Sequence, residues 1–307
     1  MALSAPAFLR GRRPRLDMAK EEAAEGYLMV LPVGLGLLIF SFGPIFASLY
    51  LSFTSWDLFG PPEWIGLLNY TGMFRDQLFL KSMSNTLYYT LLAVPFGTAL
   101  ALAVAIALNQ KLRGTNILRT VFFLPSVCSD VAIAVTWVWL YMPDMGLFDI
   151  ILKSVGLPSP HWLSSTEWAM PSVVIMAIWG GLGYNMVIFL AGLQSIAQEY
   201  YEAAMIDGAN RWQSFWRVTM PLLSPITFFV VIMYVIGSLQ VFASVYVMTG
   251  GGPYNATLTI AYYLFRNGFE WFKMGYASSL AYVLFFVILA VTLVQFVLQR
   301  RWVYYES

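Results

Sequence analysis

The chain of 307 residues is 59% hydrophobic, only 11% charged, and carries a formal net charge of +1. Soluble domains hold about 25% charged residues, so the deficit argues for lipid as the main solvent and against a soluble globular domain. Cys128 is the only cysteine, so no internal disulfide can form, and with a single histidine a zinc cluster is out of reach.

Arg10, Arg12, Arg13, Arg15 and Lys20 cluster ahead of the first apolar block. A nucleic-acid arm has a similar composition. Placed immediately before a membrane span, the cluster reads instead as a signal that holds the segment in the cytoplasm, and no nucleic-acid partner is expected. The apolar residues then fall in separated blocks, as a hydrocarbon core of roughly 30 Å requires at about 1.5 Å per helical residue. Six spans are predicted, near Leu28–Phe53, Thr86–Leu108, Val121–Met142, Pro171–Leu193, Leu222–Met248 and Ala277–Leu298. Pro32, Pro44, Pro95 and Pro225 lie inside or at the ends of these blocks, where neighbouring helices can satisfy the freed carbonyls. The first span is too long for a signal-peptide core and lacks a small-residue cleavage site, so it is expected to remain attached. The organisation is an all-α polytopic membrane protein: an N-terminal tail over 1–27, a membrane domain over 28–298 and a C-terminal tail over 299–307.

Orientation follows from the Lys and Arg count. With the N-terminus inside, the cytoplasmic segments hold twelve and the opposite side five, which predicts both termini in the cytoplasm. Two features inside the spans are unusual. Asp130 falls within the third span, where a carboxylate is expensive and marks either a pathway or a paired, inward-facing site. Gly180, Gly181 and Gly183 precede Tyr184 and Asn185 on the fourth span, and small residues there let helices pack closely. His161 lies in an external loop and reads as ordinary surface rather than a ligand.

The most informative stretch is the cytoplasmic loop 199–221. Glu199 and Glu202 favour a helix N-terminus, and Ala203 and Ala204 are strong helix formers. Gly208 can take positive φ and stop the first helix. Asn210 with Gln213 three residues on is a capping box for a second one. Trp212, Phe215 and Trp216 form an apolar stripe, and Pro221 opens the next span where its missing N–H is harmless. Two alanines beside a glutamate and a turn glycine make a compact knob suited to a partner's groove. A solvated amphipathic loop is the plainer alternative.

Glu202-Ala203-Ala204, then Gly208, then Val218 and Pro221, resembles the E-A-A loop of the permeases of ATP-binding-cassette (ABC) importers, with Val218 where isoleucine is usual. Thr249 through Thr257, containing Gly250-Gly251-Gly252-Pro253, resembles the external loop of the carbohydrate-uptake subfamily, of the F-chain type found in maltose permeases. The resemblance runs on through Arg266, Phe269, Gly275 and Tyr276, and back through Leu124-Pro125, Trp137 and Gly146.

The resemblance implies a type I ABC importer permease of the cytoplasmic (inner) membrane, multi-pass and bathed in membrane lipid. Its implied partners are a second, G-type permease, two ATP-binding-cassette ATPase subunits and an extracytoplasmic solute-binding protein. The solute would be a mono-, di- or oligosaccharide, with glycerol phosphate or a polyol as the alternative. The coupling residues would be Glu202, Ala203, Ala204, Asp207, Gly208, Val218 and Pro221, with Glu202 pairing a basic residue of the ATPase. Sugar contacts carried over from the family fall on Gly181, Tyr184, Tyr234 and Ser238. Asn185 and Gln240 share that chemistry, and Gln240 enters if the register shifts by one. Asp130 either accepts hydrogen bonds from sugar hydroxyls or serves an interhelical pair. No phosphate-cradling G-x-x-x-x-G-K-[ST] run and no catalytic or metal constellation is present in the sequence, so no catalysis is expected in this chain, and ATP and Mg belong to the partner ATPases. An ion-coupled secondary transporter is the different-class alternative, but it asks for midplane carboxylates, of which Asp130 is the single candidate. A structural membrane scaffold would leave the polar groups of the fourth and fifth spans without a use.

Overall fold

The computed structural model describes residues 15–110 and 114–304. The tails expected over 1–27 and 299–307 therefore fall partly outside the described residues. So do Arg10, Arg12, Arg13, Lys111 and Arg113 of the charge count. The described residues form two compact units, divided between Tyr50 and Leu51.

In the first unit, α1 (Arg15–Leu37) leads through one wide turn into α2 (Gly43–Ser52), and the stretch Glu22–Ser52 is long and apolar enough to cross a membrane. The wide turn at Leu38–Phe42 has a local cause. Pro44 has no N–H to give and its ring crowds the preceding turn. The residue before it, Gly43, donates instead to Leu38 O, five residues back. The helix absorbs the proline by widening rather than breaking.

The second unit opens on a two-residue antiparallel pair, β1 (Thr54–Ser55) with β2 (Glu63–Trp64), in the register Thr54 to Trp64. After the short α3 (Leu68–Met73), the long α4 (Gln77–Leu108) starts well before the predicted span. Asp76 caps it, accepting from Leu78 N at 2.9 Å. The other oxygen of Asp76 accepts the hydroxyls of Tyr263 and Tyr276. These belong to α13 (Ile260–Phe265) and α14 (Met274–Gln299), so one carboxylate ties three helices together. Burial alone would raise its pKa, but the two hydroxyls and the backbone N–H groups outweigh that and hold it below the ordinary value. The glycine-rich loop 249–257 is fastened to the same helix, with Asn85 Nδ2 donating to Asn255 O at 2.8 Å and Leu258 O at 2.9 Å.

The core is built where α4 meets α8 (Ala169–Ser195) and α11 (Met220–Leu239). Ala101 and Ala105 of α4 are fully buried beside Phe189, Leu223 and Val230. α5 (Thr115–Val127) crosses α8 at Gly183, where a Cβ would lie 2.2 Å from Phe122 O. Only glycine allows that approach.

Two of the predicted spans are not single helices. The third is α5 followed by α6 (Asp130–Leu140), bent by 102°. Pro125 weakens the end of α5, and Cys128 and Ser129 are extended, so Asp130 opens a new helix at the break instead of sitting inside a continuous one. The fifth does not run on to Met248. α11 stops at Leu239, and α12 (Ala243–Met248) follows a turn whose Val241 carbonyl accepts the Thr259 hydroxyl at 2.9 Å. Among the described residues five helices are long enough to span, or six with the bent pair.

Candidate functional site

A cavity of about 530 Å³ opens where both irregular spans break. Pro125, Ser126 and Asp130 line it from the α5–α6 bend, and Gly237 together with Gln240 to Ser244 line it from the end of α11 and the turn after it. α8 contributes Gly180, Gly181 and Tyr184, spaced to share one helical face, and α4 contributes Tyr89. Broken helices are the means by which a membrane protein presents polar groups at depth, because irregular backbone is tolerated only where it lines a cavity or is buried in protein.

Of the residues singled out from the sequence, Asp130, Gly181, Tyr184 and Gln240 line this cavity together. The other three do not. Asn185 is buried on α8 outside the lining. Ser238 is committed to packing α11 on α4, its hydroxyl donating to Thr90 Oγ1 at 3.1 Å and Val235 O at 2.9 Å. Tyr234 lies against Gly97 and its buried hydroxyl has no partner among the described residues. Ser126, expected from its place beside Asp130 to bond it, lines the cavity but donates to Phe123 O instead, and Tyr89, Phe242 and Ser244 line it without being prominent in the sequence. Tyr89 stands beside Tyr88 in an apolar run, and nothing local says that 89 faces inward while 88 is exposed. Phe242 and Ser244 were hidden because the turn before α12 is flanked by apolar residues on both sides.

The second element lies at the other end of α11. α9 (Gln198–Ile206) ends in a Schellman arrangement: Ala209 N donates to Ala204 O at 2.9 Å, Gly208 N donates to Met205 O at 3.1 Å, and Gly208 takes φ +80°. Asn210 and Gln213 form the capping box, with reciprocal bonds of 2.8 and 2.9 Å. The following α10 (Arg211–Ser214) is not a separate helix followed by a new span. It runs through a wide turn, Phe215–Thr219, directly into α11. Pro221 plays the part that Pro44 plays near the N-terminus: the residue before it, Met220, donates to Phe215 O five residues back. Tyr201 and Thr219 hydroxyls pair at 3.1 Å and pin α9 to this continuous helix.

Glu202 is exposed and held by Gln198 Nε2 at 2.8 Å. Beside it Met205 and Ile206 stand 63% and 87% exposed. The aromatic stripe is not packed down as a whole: Trp212 and Trp216 are exposed and stack edge to face on each other, and only Phe215 is half-buried. The knob therefore shows three acidic groups, Glu199, Glu202 and Asp207, beside the bare side chains of Met205 and Ile206 and the two exposed tryptophans. From Pro221 to Gly237 one unbroken helix spans roughly 24 Å, linking the knob rigidly to the cavity wall.

An all-helical polytopic domain with a cavity at two helix breaks, joined by one helix to an exposed knob, defines a membrane permease subunit rather than an enzyme. The profile of the family described as "Binding-protein-dependent transport system inner membrane component" matches residues 93–304, and the chain belongs to that family. It is 39% identical over 293 residues to the probable ABC transporter permease protein YesP of Bacillus subtilis (strain 168), covering 94% of both chains. It is 33% identical over 282 residues to the sn-glycerol-3-phosphate transport system permease protein UgpA of Yersinia enterocolitica serotype O:8, covering 91% of this chain and 95% of that one. Among solved structures, it matches a chain of a bacterial ABC transporter involved in the import of the acidic polysaccharide alginate. The TM-score there is 0.83 at 26% identity, over 94% of this chain and 99% of that one.

Proposed function

We propose that this chain, with a second permease of the G type, forms the pathway for a carbohydrate delivered by an extracytoplasmic binding protein. Two ATPase subunits bind ATP and Mg and grip the knob around Glu202. The observation that carries the reading is the continuity of α11, which joins an exposed knob to the wall of a polar and aromatic cavity. Glu202, Ala203, Ala204, Asp207 and Gly208 form the docking surface, while Val218 and Pro221 belong to the helix that carries its displacement into the membrane. Tyr184, Tyr89 and Phe242 offer faces to sugar C–H surfaces, and Gln240 and Ser126 offer groups to sugar oxygens. ATP-driven closure of the ATPases moves the knob and shifts the two permeases between inward- and outward-facing states, a two-state equilibrium biased by differential binding.

Both termini lie in the cytoplasm in this reading, as the bias of Lys and Arg requires. The similarity to a glycerol-phosphate permease supports a second reading, in which the solute is a small phosphorylated polyol. The test of the main reading is reconstitution of the assembled importer in vesicles with its binding protein. Uptake of a carbohydrate that requires ATP, with ATPase activity rising on addition of the loaded binding protein, supports it. Uptake driven by an ion gradient without ATP overturns it.

A further inference from the structure

The cavity contains a carboxyl group in the first turn of α6 that no side chain among the described residues pairs with. Asp130 opens α6 at the 102° bend and is exposed on the cavity wall. It makes no hydrogen bond and no ion pair with any described residue. It does not serve as the cap of its own helix, because the cap position is Ser129, whose side chain makes no capping bond either. Neighbouring Ser126 does not satisfy it, since that hydroxyl donates to Phe123 O at 2.7 Å. The lining holds no Lys, Arg or His, so this chain's share of the cavity carries one acid and no compensating cation. A carboxyl at membrane depth is costly without a partner, and the open position of this one leaves the transported solute to provide it.

From this we infer that Asp130 is the charge-selecting residue of the pathway: it favours carbohydrates that are neutral or carry an amine, and rejects those bearing carboxylate or phosphate groups. The inference rests on the carbohydrate reading and sharpens it. Sugar hydroxyls and ammonium groups both donate hydrogen bonds, which a carboxylate oxygen accepts. An anionic solute instead meets a like charge in a cleft whose low-dielectric walls focus the repulsion. The second, phosphorylated-polyol reading predicts the opposite preference.

The test uses the assembled importer in nanodiscs, held outward-facing by ATP on a hydrolysis-deficient ATPase, without binding protein. Cellobiose, the diamine of chitobiose and the C6,C6′-dicarboxylate of cellobiose share one β-1,4 framework and are titrated as matched neutral, cationic and anionic disaccharides, and binding is read by calorimetry. The expected result is that the first two bind and the dicarboxylate binds at least tenfold more weakly, with Asp130→Asn closing that gap and lowering the diamine to the level of cellobiose. Equal wild-type binding of cellobiose and the dicarboxylate overturns the charge selection while leaving the carbohydrate reading intact, as does an unchanged ratio in Asp130→Asn. Should that variant fail to assemble, the wild-type ratio of cellobiose to the dicarboxylate decides alone. Binding of none of the three overturns the carbohydrate reading, and the selection with it.

Discussion

The ring of Tyr234 lies so close across Gly97 that a methyl group at 97 would stand 2.4 Å from the hydroxyl and 2.8 Å from Cζ. This contact locks α11 onto α4 one turn below the cavity wall at Gly237. Gly97→Ala is expected to destabilise the protein by about 1–3 kcal/mol through overpacking, and Tyr234→Leu in that background to restore part of the loss. Tyr234→Phe alone removes a buried hydroxyl that has no partner among the described residues, so it should be neutral or slightly stabilising. Thermal melts of the purified protein check all three. A phenylalanine variant weaker by more than about 1 kcal/mol would mean that the hydroxyl is bonded after all.

At Gly183 the neighbour is backbone, not a side chain that can swing away. A Cβ there would meet Phe122 O at 2.2 Å and Phe123 Cα at 2.7 Å. Gly183→Ala should therefore reach or pass the upper end of the ~1–3 kcal/mol range for overpacking and lower the yield of folded protein in membranes. Gly180→Ala is the control, because its nearest contact would be Ile133 Cδ1 at 3.9 Å. Equal melting temperatures for the two variants would rule out the close crossing of α5 over α8.

Asp76 offers a pH test. Its carboxylate is held below the ordinary value of 3.8 despite burial, by the hydroxyls of Tyr263 and Tyr276 and by backbone N–H groups. A group with a depressed folded pKa contributes stability that is present above its unfolded pKa and lost as pH falls through its folded one. The advantage of wild type over Asp76→Asn in melting temperature should thus be constant from neutral pH down to about 4 and shrink below it. Tyr263→Phe and Tyr276→Phe should each remove part of the same advantage. A difference that does not change on acidification would disprove the linkage.

Charge reversal at the knob probes coupling. Glu202→Lys should leave membrane insertion and melting unchanged, since the only bond lost is the exposed one from Gln198. If Glu202 pairs with a basic group on the ATPase, removing one partner from a docked charge pair costs about 2–5 kcal/mol, so ATP-dependent uptake should fall at least tenfold. Uptake at the wild-type rate would show that the knob does not transmit the motion.

Local chemistry made the knob legible in advance. The Ala203-Ala204 helix, the positive φ at Gly208 and the reciprocal bonds of Asn210 and Gln213 each depend on residues within a few positions of one another. The span count followed for the same reason, as the length of an apolar run is a local property. The fusion of α10 with α11 was not legible, because a proline at 221 normally starts a helix, and only the wide turn before it lets one continue.

The amino-acid order by itself determined that this chain lives in lipid, how often it can cross, and where it presents an acidic knob. Hydropathy and helix-end chemistry act over one or two turns, and they suffice for that. Where the cavity lies was decided only in three dimensions. Ser126, Ser129 and Asp130 at the first break and Ser238 and Gln240 at the second are a few polar residues set within longer apolar blocks, and residues of that kind also occur inside unbroken spans, so the pattern alone does not say that the chain bends there. It is the packing of α4, α8 and α11, with α6 set against α8 and α12, that brings Asp130, Tyr184 and Gln240 to one space and leaves Asn185, Tyr234 and Ser238 outside it.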